Sequence, residues 1–159
     1  MLQVLWIEDD AVGASLQHFA SAIIRHIECN LDVSLNATDG WHKLMSNTYD
    51  VVIVDIRLMP GSEKYWKEIF QRTSTKQNAK LGLEILRRLF GNNGQDDVPT
   101  WINLNKFAVF TVEAELEIGN SLNQLNITHY LHKSTSVSPI ELVNLIAQIA
   151  DYDLNLQNE

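Results

Sequence analysis

Residues 51–55 read Val-Val-Ile-Val-Asp, a short apolar run that ends in a carboxylate. An apolar run without alternation is typical of a strand that is buried on both faces, as the strands of a parallel sheet are. Two further runs have the same character: Val4–Ile7 leads into Glu8-Asp9-Asp10, and Phe107–Phe110 leads into Thr111. These runs predict three strands whose carboxyl ends carry polar residues.

Segments with helical periodicity separate these strands and follow them. Weaker strands are predicted near Leu31–Leu35 and Ile127–Leu131. Apolar residues at the helical spacing predict helices that begin near Leu16, Leu83, Ala114 and Pro139, and a further short helix is predicted at Thr38–Asn47. Strands and helices therefore alternate, which predicts an α/β fold with a doubly wound, five-stranded parallel sheet and right-handed crossovers.

The net charge and the distribution of apolar residues favour some classes of function and disfavour others. The chain has 159 residues, which favours one domain, and its 12 Lys and Arg against 20 Asp and Glu give a net charge of −8. Nucleic-acid binding needs a basic face, so we expect none, whereas a bound divalent cation suits this charge. The acidic start lacks a signal-peptide pattern, and no apolar run reaches the roughly 18–20 residues that span a membrane. We expect a cytoplasmic protein that binds no membrane.

The polar residues at the strand ends define a candidate site, since doubly wound sheets bind ligands there. Glu8 and Asp9 follow the first strand, Asp55 the third, Thr111 the fourth and Lys133 the fifth. Carboxylates that share a crevice repel one another. Mg²⁺ relieves such repulsion while it takes one or two carboxylates and several waters. With an ammonium and a hydroxyl nearby, the site is suited to phosphoryl transfer onto a carboxylate.

These segments resemble the motifs of response-regulator receiver domains, the CheY-like family, in the family's order and over essentially the whole chain. The segments are Val4–Asp10, Val51–Leu58, Gly82–Leu89, Val109–Ala114 and Tyr130–Lys133. The resemblance implies a flavodoxin-like sheet of strand order 2-1-3-4-5 and a stand-alone receiver over residues 1–159. It also implies a signalling protein of two-component systems, which is not an enzyme apart from its own phosphorylation and dephosphorylation.

The resemblance assigns roles to the acidic residues. Asp55 would be the phosphoacceptor. Mg²⁺ would be held by Asp9, Asp55 and the backbone carbonyl of Arg57, and Glu8 would act on the metal through water. A histidine kinase or a phosphotransfer protein would donate the phosphoryl group.

The same resemblance assigns the switch and the partners. Thr111 and Lys133 would contact the phosphoryl group, and the movement of Thr111 would let Tyr130 turn inward. That change would alter a surface that a separate downstream effector reads. Homodimerisation is a further way in which the signal could pass.

Two departures from the family pattern leave an alternative open. Ser134 follows Lys133 where the family has proline, and the acceptor loop Asp55–Pro60 is one residue longer than usual. Both favour a receiver-like interaction module that acts without phosphate.

A haloacid-dehalogenase-type phosphatase is disfavoured because Arg57 stands where that family needs a second Asp. Flavin binding is disfavoured because acids at the end of the first strand would repel the cofactor's phosphate.

An insertion at residues 61–79 separates the third strand from the third helix of the family pattern, and residues 152–159 form a C-terminal tail. Within 62–72, helical spacing places Tyr65, Trp66, Ile69 and Phe70 on one face. Two interpretations follow: the helix packs these side chains on the domain's own surface, or it docks a partner or covers the site as a lid.

Arg57 and Glu113 each lie two residues after a predicted site residue, Asp55 and Thr111 respectively. We expect them to form a polar gate that controls the access of water to the acyl phosphate.

Overall fold

The computed structural model describes residues 1–73, 79–91 and 97–155. Five strands form one sheet in which every pair of neighbours is parallel, in the order β2-β1-β3-β4-β5. The strands are β1 (Leu2–Ile7), β2 (Cys29–Ser34), β3 (Val51–Val54), β4 (Phe107–Thr111) and β5 (His129–His132). The predicted fold class and strand order are confirmed. The two weaker strands begin two residues away from the positions that the sequence predicts.

Six helices connect or follow the strands within the described residues. They are α1 (Gln17–His26), α2 (Ala37–Ser46), α3 (Lys64–Arg72), α4 (Leu81–Phe90), α5 (Glu115–Gln124) and α6 (Pro139–Ala150), and a 3₁₀ turn covers Leu104–Lys106. α6 begins with Pro139 after a capping box, in which Ser138 and Glu141 satisfy each other's backbone N–H groups. None of these helices is long and apolar enough to cross a membrane.

The apolar strand residues face two cores, one on each side of the sheet. Leu5, Ile7 and Val54 pack against α2, α4 and α5, whereas Trp6 and Ile53 pack against α1 and α6. Every residue of Val4–Ile7 and of Val51–Val54 is fully buried. This double burial is why these strands show no alternation of apolar and polar residues.

The lengthened acceptor loop is tied to the first turn of α2. The backbone N–H groups of Ala37 and Thr38 donate to the carbonyls of Met59 (2.9 Å) and Pro60 (3.1 Å). These are donors that a helix N-terminus leaves without partners inside the helix. The hydroxyl of Thr38 also accepts a hydrogen bond from the backbone N–H of Glu63, at 3.0 Å. The loop therefore has defined partners from the acceptor strand to the start of α3.

The insertion helix α3 packs on the domain, as the first of the two interpretations predicts. Trp66 is fully buried and lies 5.8 Å from Trp41 of α2, between ring centroids. The guanidinium carbon of Arg88, on α4, lies 4.1 Å from the Trp41 ring centroid and 4.2 Å from that of Tyr65. Ile69 and Phe70 are partly buried against the same core. Trp66 is thus closed to a partner, and the docking prediction applies to Tyr65, which is 42% exposed.

The remaining predicted segments lie partly outside the described residues. Residues 74–78 of the insertion and residues 156–159 of the C-terminal tail are outside the described ranges. The tail up to residue 155 follows α6, where Tyr152 donates its backbone N–H to the Ala147 carbonyl at 2.8 Å.

Gly82 gives a first testable prediction, because α4 begins against the backbone of the acceptor. A Cβ at Gly82 would lie 1.8 Å from the carbonyl oxygen of Asp55. We expect Gly82→Ala to lower the free energy of unfolding by about 1–3 kcal/mol, measured by urea denaturation, because either the helix or the acceptor loop must shift.

Gly119 is the matched control, since it lies within α5 and its added Cβ would meet Glu115 Cγ at an ordinary 3.7 Å. Gly119→Ala should raise the free energy of unfolding by roughly 0.5–1 kcal/mol, because alanine is the better helix former. A Gly82→Ala variant as stable as the unmodified chain would contradict the close approach of α4 to Asp55.

Candidate functional site

A cavity of about 450 Å³ opens at the carboxyl edge of the sheet. Its polar lining includes the predicted residues Glu8, Asp9, Asp55, Arg57 and Lys133, with Asp10 and Ser134 beside them. Because β1, β3 and β5 are parallel, the loops that follow them meet at this edge, although each lies far from the others in sequence. The structure thus brings together two acidic segments and one lysine.

Asp55 lies at the base of this cavity and is 4% exposed. Its backbone N–H donates to the Ile7 carbonyl at 2.9 Å, which continues the pairing of β1 with β3 to the acceptor. Its Oδ2 lies 3.2 Å from the Nζ of Lys133. Its Oδ1 is buried and has no hydrogen-bond partner among the described residues. A buried carboxylate oxygen without a partner is costly unless a ligand completes it.

Glu8 is a buried carboxyl of the cavity whose pKa is strongly raised. It is 1% exposed, its Oε2 contacts the Nζ of Lys133, and its Oε1 accepts the backbone N–H of Asp10 at 3.1 Å. Burial and the neighbouring charge of Asp55 raise the pKa of Glu8 to about 8, even though Lys133 opposes the shift. The cavity therefore holds more negative charge than Lys133 alone neutralises.

The described residues fit a hard divalent cation. Carboxylate oxygens of Glu8, Asp9 and Asp10 lie within 4.8 Å of one another, and Asp55 lines the same cavity. Oxygen donors of this kind suit Mg²⁺. Arg57 also lines the cavity, and its backbone carbonyl stays the predicted further ligand. Asp10 was not among the predicted ligands, although its adjacency to Glu8 and Asp9 in the sequence places it beside them.

Lys133 reaches the cavity without the proline that follows this lysine in the family pattern. The Lys133–Ser134 peptide is trans. The Lys133 backbone N–H donates to the Thr111 carbonyl at 2.8 Å, which extends the pairing of β4 with β5 by one residue. This hydrogen bond fixes the backbone, so the side chain can span to both Glu8 and Asp55.

Thr111 is a predicted site residue that lies outside the cavity. It is fully buried, it is absent from the cavity lining, and its Oγ1 accepts the backbone N–H of Glu113 at 3.3 Å. Sequence spacing located Thr111 at the end of β4 but could not define its rotamer, which this local hydrogen bond selects.

Arg57 and Glu113 form the pair that the sequence predicts. Arg57 Nε donates to Glu113 Oε1 at 2.7 Å, and the Glu113 side chain is 1% exposed while that of Arg57 is 30% exposed. Burial is the largest single effect and would raise the pKa of Glu113. The hydrogen bonds to Arg57 and Glu117, together with the charges of Arg57 and Lys80, outweigh it, and the pKa lies below its ordinary value. The pair ties the acceptor loop to the turn between β4 and α5.

Tyr130 is joined to the same turn, a contact that sequence reasoning missed. Its hydroxyl donates to the backbone carbonyl of Glu113 at 2.6 Å. Glu113 thus receives Arg57 on its side chain and Tyr130 on its backbone, and its own N–H is bound to Thr111. The two predicted switch residues are therefore linked through one residue.

Glu8 gives the second testable prediction, on the pH dependence of stability without Mg²⁺. Folded Glu8 keeps its proton up to a pH of about 8, whereas the unfolded chain loses it near the ordinary value of 4.5. The folded state binds more protons in that window, so the free energy of unfolding should fall as pH rises through it. Glu8→Gln should flatten the profile, measured by urea denaturation at successive pH values.

Glu28→Gln is the control, since Glu28 is exposed between α1 and β2 and should leave the profile unchanged. A Glu8→Gln variant that kept the full slope would contradict the burial of Glu8 beside Asp55.

Comparison with known proteins shows which solved structures share this fold. No family model and no curated protein sequence matches the chain. A CheY-like response regulator receiver domain protein from Methanospirillum hungatei JF-1 superposes with a TM-score of 0.62 at 18% identity, over 95% of this chain and 94% of that one. The receiver domain of Francisella response regulator 1452 gives 0.59 at 18% identity, over 95% and 98%. Vibrio cholerae chemotaxis protein CheY4 gives 0.58 at 16% identity, over 94% and 98%. At these identities the likeness establishes the fold, and this chain has the fold of a CheY-like response-regulator receiver domain.

Proposed function

We propose that the chain is a phosphoacceptor of two-component signal transduction that takes a phosphoryl group on Asp55. The observation that carries the proposal is the buried Asp55 carboxylate, which has one oxygen 3.2 Å from Lys133 Nζ and the other without a partner among the described residues. The acidic wall of Glu8, Asp9 and Asp10 beside it supports a Mg²⁺ requirement. The receiver fold supports the same class of function.

The proposed reaction is an in-line transfer onto a carboxylate. An Asp55 oxygen attacks the phosphorus of a phosphorylated histidine on the donor, the new O–P bond forms as the N–P bond breaks, and the released imidazole recovers its lone pair and takes a proton from water. When bound by Asp9, Asp55 and the Arg57 carbonyl, with Glu8 acting through water, Mg²⁺ would offset charge on the phosphoryl oxygens. Lys133 would leave Glu8 and contact one of those oxygens.

The proposed signal passes through Glu113. To reach the phosphoryl group, Thr111 must release the backbone N–H of Glu113, which it holds at 3.3 Å. The Glu113 carbonyl holds the Tyr130 hydroxyl at 2.6 Å, so a shift of this turn also moves the partner of Tyr130. A separate effector, or a second copy of the chain, would read the altered surface, and a histidine kinase or phosphotransfer protein would supply the phosphoryl group.

A receiver-like module that acts without phosphate is the second candidate. Two observations favour it: Thr111 is outside the cavity, and Lys133 contacts Glu8. In that case protein contacts alone would carry the signal. Direct phosphorylation separates the two candidates.

The third testable prediction is phosphorylation of Asp55 itself. Incubation with Mg²⁺ and acetyl phosphate should add one phosphoryl group to the chain, measured by intact mass, and chelation of Mg²⁺ should prevent it. Asp55→Asn should gain no phosphoryl group, since an amide oxygen is a poor nucleophile. Asp50→Asn is the matched control, because Asp50 is exposed at the other end of β3, and it should behave as the unmodified chain.

If the folded chain gains no mass with Mg²⁺ present, the phosphate-independent module is the better account. If Asp55→Asn gains as much mass as the unmodified chain, the acceptor is another residue.

The fourth testable prediction concerns the Arg57–Glu113 pair as a gate. Arg57→Ala and Glu113→Ala should each shorten the lifetime of the acyl phosphate, because either change opens the 2.7 Å bridge beside Asp55 to water. The lifetime is measured by the decay of the phosphorylated mass after the donor is removed. The double variant should decay no faster than the faster single variant, since the residues act as one unit.

Arg87→Ala is the control, because it breaks the Arg87–Glu84 pair (2.6 Å) on the outside of α4 and should leave the lifetime unchanged. Unaltered lifetimes in both Arg57→Ala and Glu113→Ala would rule out the gate.

A further inference from the structure

The loop between β5 and α6 contributes hydroxyl groups to the wall of the acceptor cavity. The hydroxyl-bearing residues that line the cavity are Ser15, Ser134 and Thr135. No described residue of the insertion helix α3 lines it, so the described part of the chain gives no support to a lid. Ser134 directly follows Lys133 and is half-buried, whereas Ser15 and Thr135 are exposed. Of the three hydroxyls, that of Ser134 is therefore the one best shielded from water.

The backbone of Ser134 is held by hydrogen bonds on both sides. Its N–H donates to the His132 carbonyl at 2.9 Å, and its carbonyl accepts the N–H of Val137 at 3.3 Å. The preceding residue, Lys133, donates its own N–H to the Thr111 carbonyl at 2.8 Å. Proline has no backbone N–H, so the bond to His132 requires a residue other than proline at position 134. The turn therefore fixes a hydroxyl-bearing residue beside Lys133.

The hydroxyl of Ser134 has a proton to offer to a ligand. Its Oγ lies 3.1 Å from the Oγ of Ser136, and either hydroxyl can be the donor of that pair. When Ser136 donates, the proton of Ser134 is free for another acceptor. Ser136 is not among the described residues that line the cavity, whereas Ser134 is. Ser134 can therefore accept from Ser136 and donate to a group in the cavity at the same time.

Thr111, the hydroxyl that the family resemblance assigns to the phosphoryl group, is already engaged elsewhere. It is fully buried, lies outside the cavity lining, and accepts the Glu113 N–H on its Oγ1 at 3.3 Å. To reach the cavity it must give up that hydrogen bond. Ser134 lines the cavity without any such exchange, so it is the hydroxyl that is available in the conformation described here.

We propose that Ser134 donates a hydrogen bond to a phosphoryl oxygen on Asp55 while Thr111 still holds the N–H of Glu113. The inference rests on the proposed phosphorylation of Asp55. Lys133 Nζ lies 3.2 Å from Asp55 Oδ2, so the ammonium and the hydroxyl beside it would together offset the charge of the phosphoryl oxygens. The acceptor can then be phosphorylated before the turn after β4 moves, and phosphorylation and the switch are separate steps.

The test measures how fast the full chain gains mass in Mg²⁺ and acetyl phosphate. Ser134→Ala should be slower by about tenfold or more, because it loses one hydrogen bond to a charged group. The variant keeps the backbone N–H that donates to His132, so its free energy of unfolding in urea should be unchanged. Ser134→Thr retains a hydroxyl and should recover most of the rate, which a purely structural role of the hydroxyl-free turn would not explain.

Ser46→Ala is the matched control, since it makes the same change at an exposed serine at the end of α2 and should leave the rate unaltered. Ser15→Ala and Thr135→Val remove the other two hydroxyls of the cavity and should each slow the reaction less than Ser134→Ala does. Thr111→Val should also lose less, because Thr111 contacts the phosphoryl group only after it has released Glu113.

A Ser134→Ala variant that gains mass as fast as the unmodified chain would overturn the inference and leave the phosphorylation of Asp55 standing. A greater loss in Ser15→Ala, Thr135→Val or Thr111→Val than in Ser134→Ala would overturn it too, as would a Ser134→Thr variant as slow as Ser134→Ala. If the unmodified chain gains no mass at all, the proposed function fails and this inference fails with it.

Discussion

Two carboxylates, those of Glu8 and Asp55, are buried at one edge of the sheet and share the ammonium of Lys133. Burying charge is expensive unless the groups are paired, and here the acids outnumber the base. The pairing of β1 with β3 forces this arrangement, because the two acids follow strands that are neighbours in the sheet. A fold that holds such groups together in spite of the cost is suited to bind a divalent cation, which offsets the excess of negative charge.

The residues around Asp55 connect the acceptor to several other elements of the fold. The loop behind the acceptor is fixed to α2 through the carbonyls of Met59 and Pro60, and α4 begins directly against the Asp55 backbone. On the other side, Arg57 reaches the turn after β4, where Glu113 connects it to Tyr130. Asp55 therefore has α2 and α4 on one side, and on the other side it has the turn after β4, which is held by hydrogen bonds. We infer that the turn is the side that moves.

Much of the fold and part of the site could be predicted from the sequence, for identifiable reasons. Continuous apolar runs identified β1, β3 and β4 because these strands are buried on both faces, and the residues after them had to converge because the strands are parallel. The rotamer of Thr111 could not be predicted, since it depends on a hydrogen bond to a backbone group two residues away. The position of Arg88 could not be predicted either. A charged residue near the end of a helix is normally solvated, and the contacts of Arg88 need Trp41 and Tyr65 from two other helices. The exposed fraction of each α3 side chain likewise depends on tertiary packing that helical periodicity does not encode.

We propose that Asp55, with a divalent cation, holds a phosphoryl group. Fluorine NMR of the chain with trifluoroberyllate, a stable mimic of a phosphoryl group on a carboxylate, tests this without a donor protein. We expect bound fluorine signals for the unmodified chain when Mg²⁺ is present, and none when Mg²⁺ is removed or when Asp55 is replaced by Asn. A folded chain without bound signals at saturating Mg²⁺, or equal signals in Asp55→Asn, would contradict it.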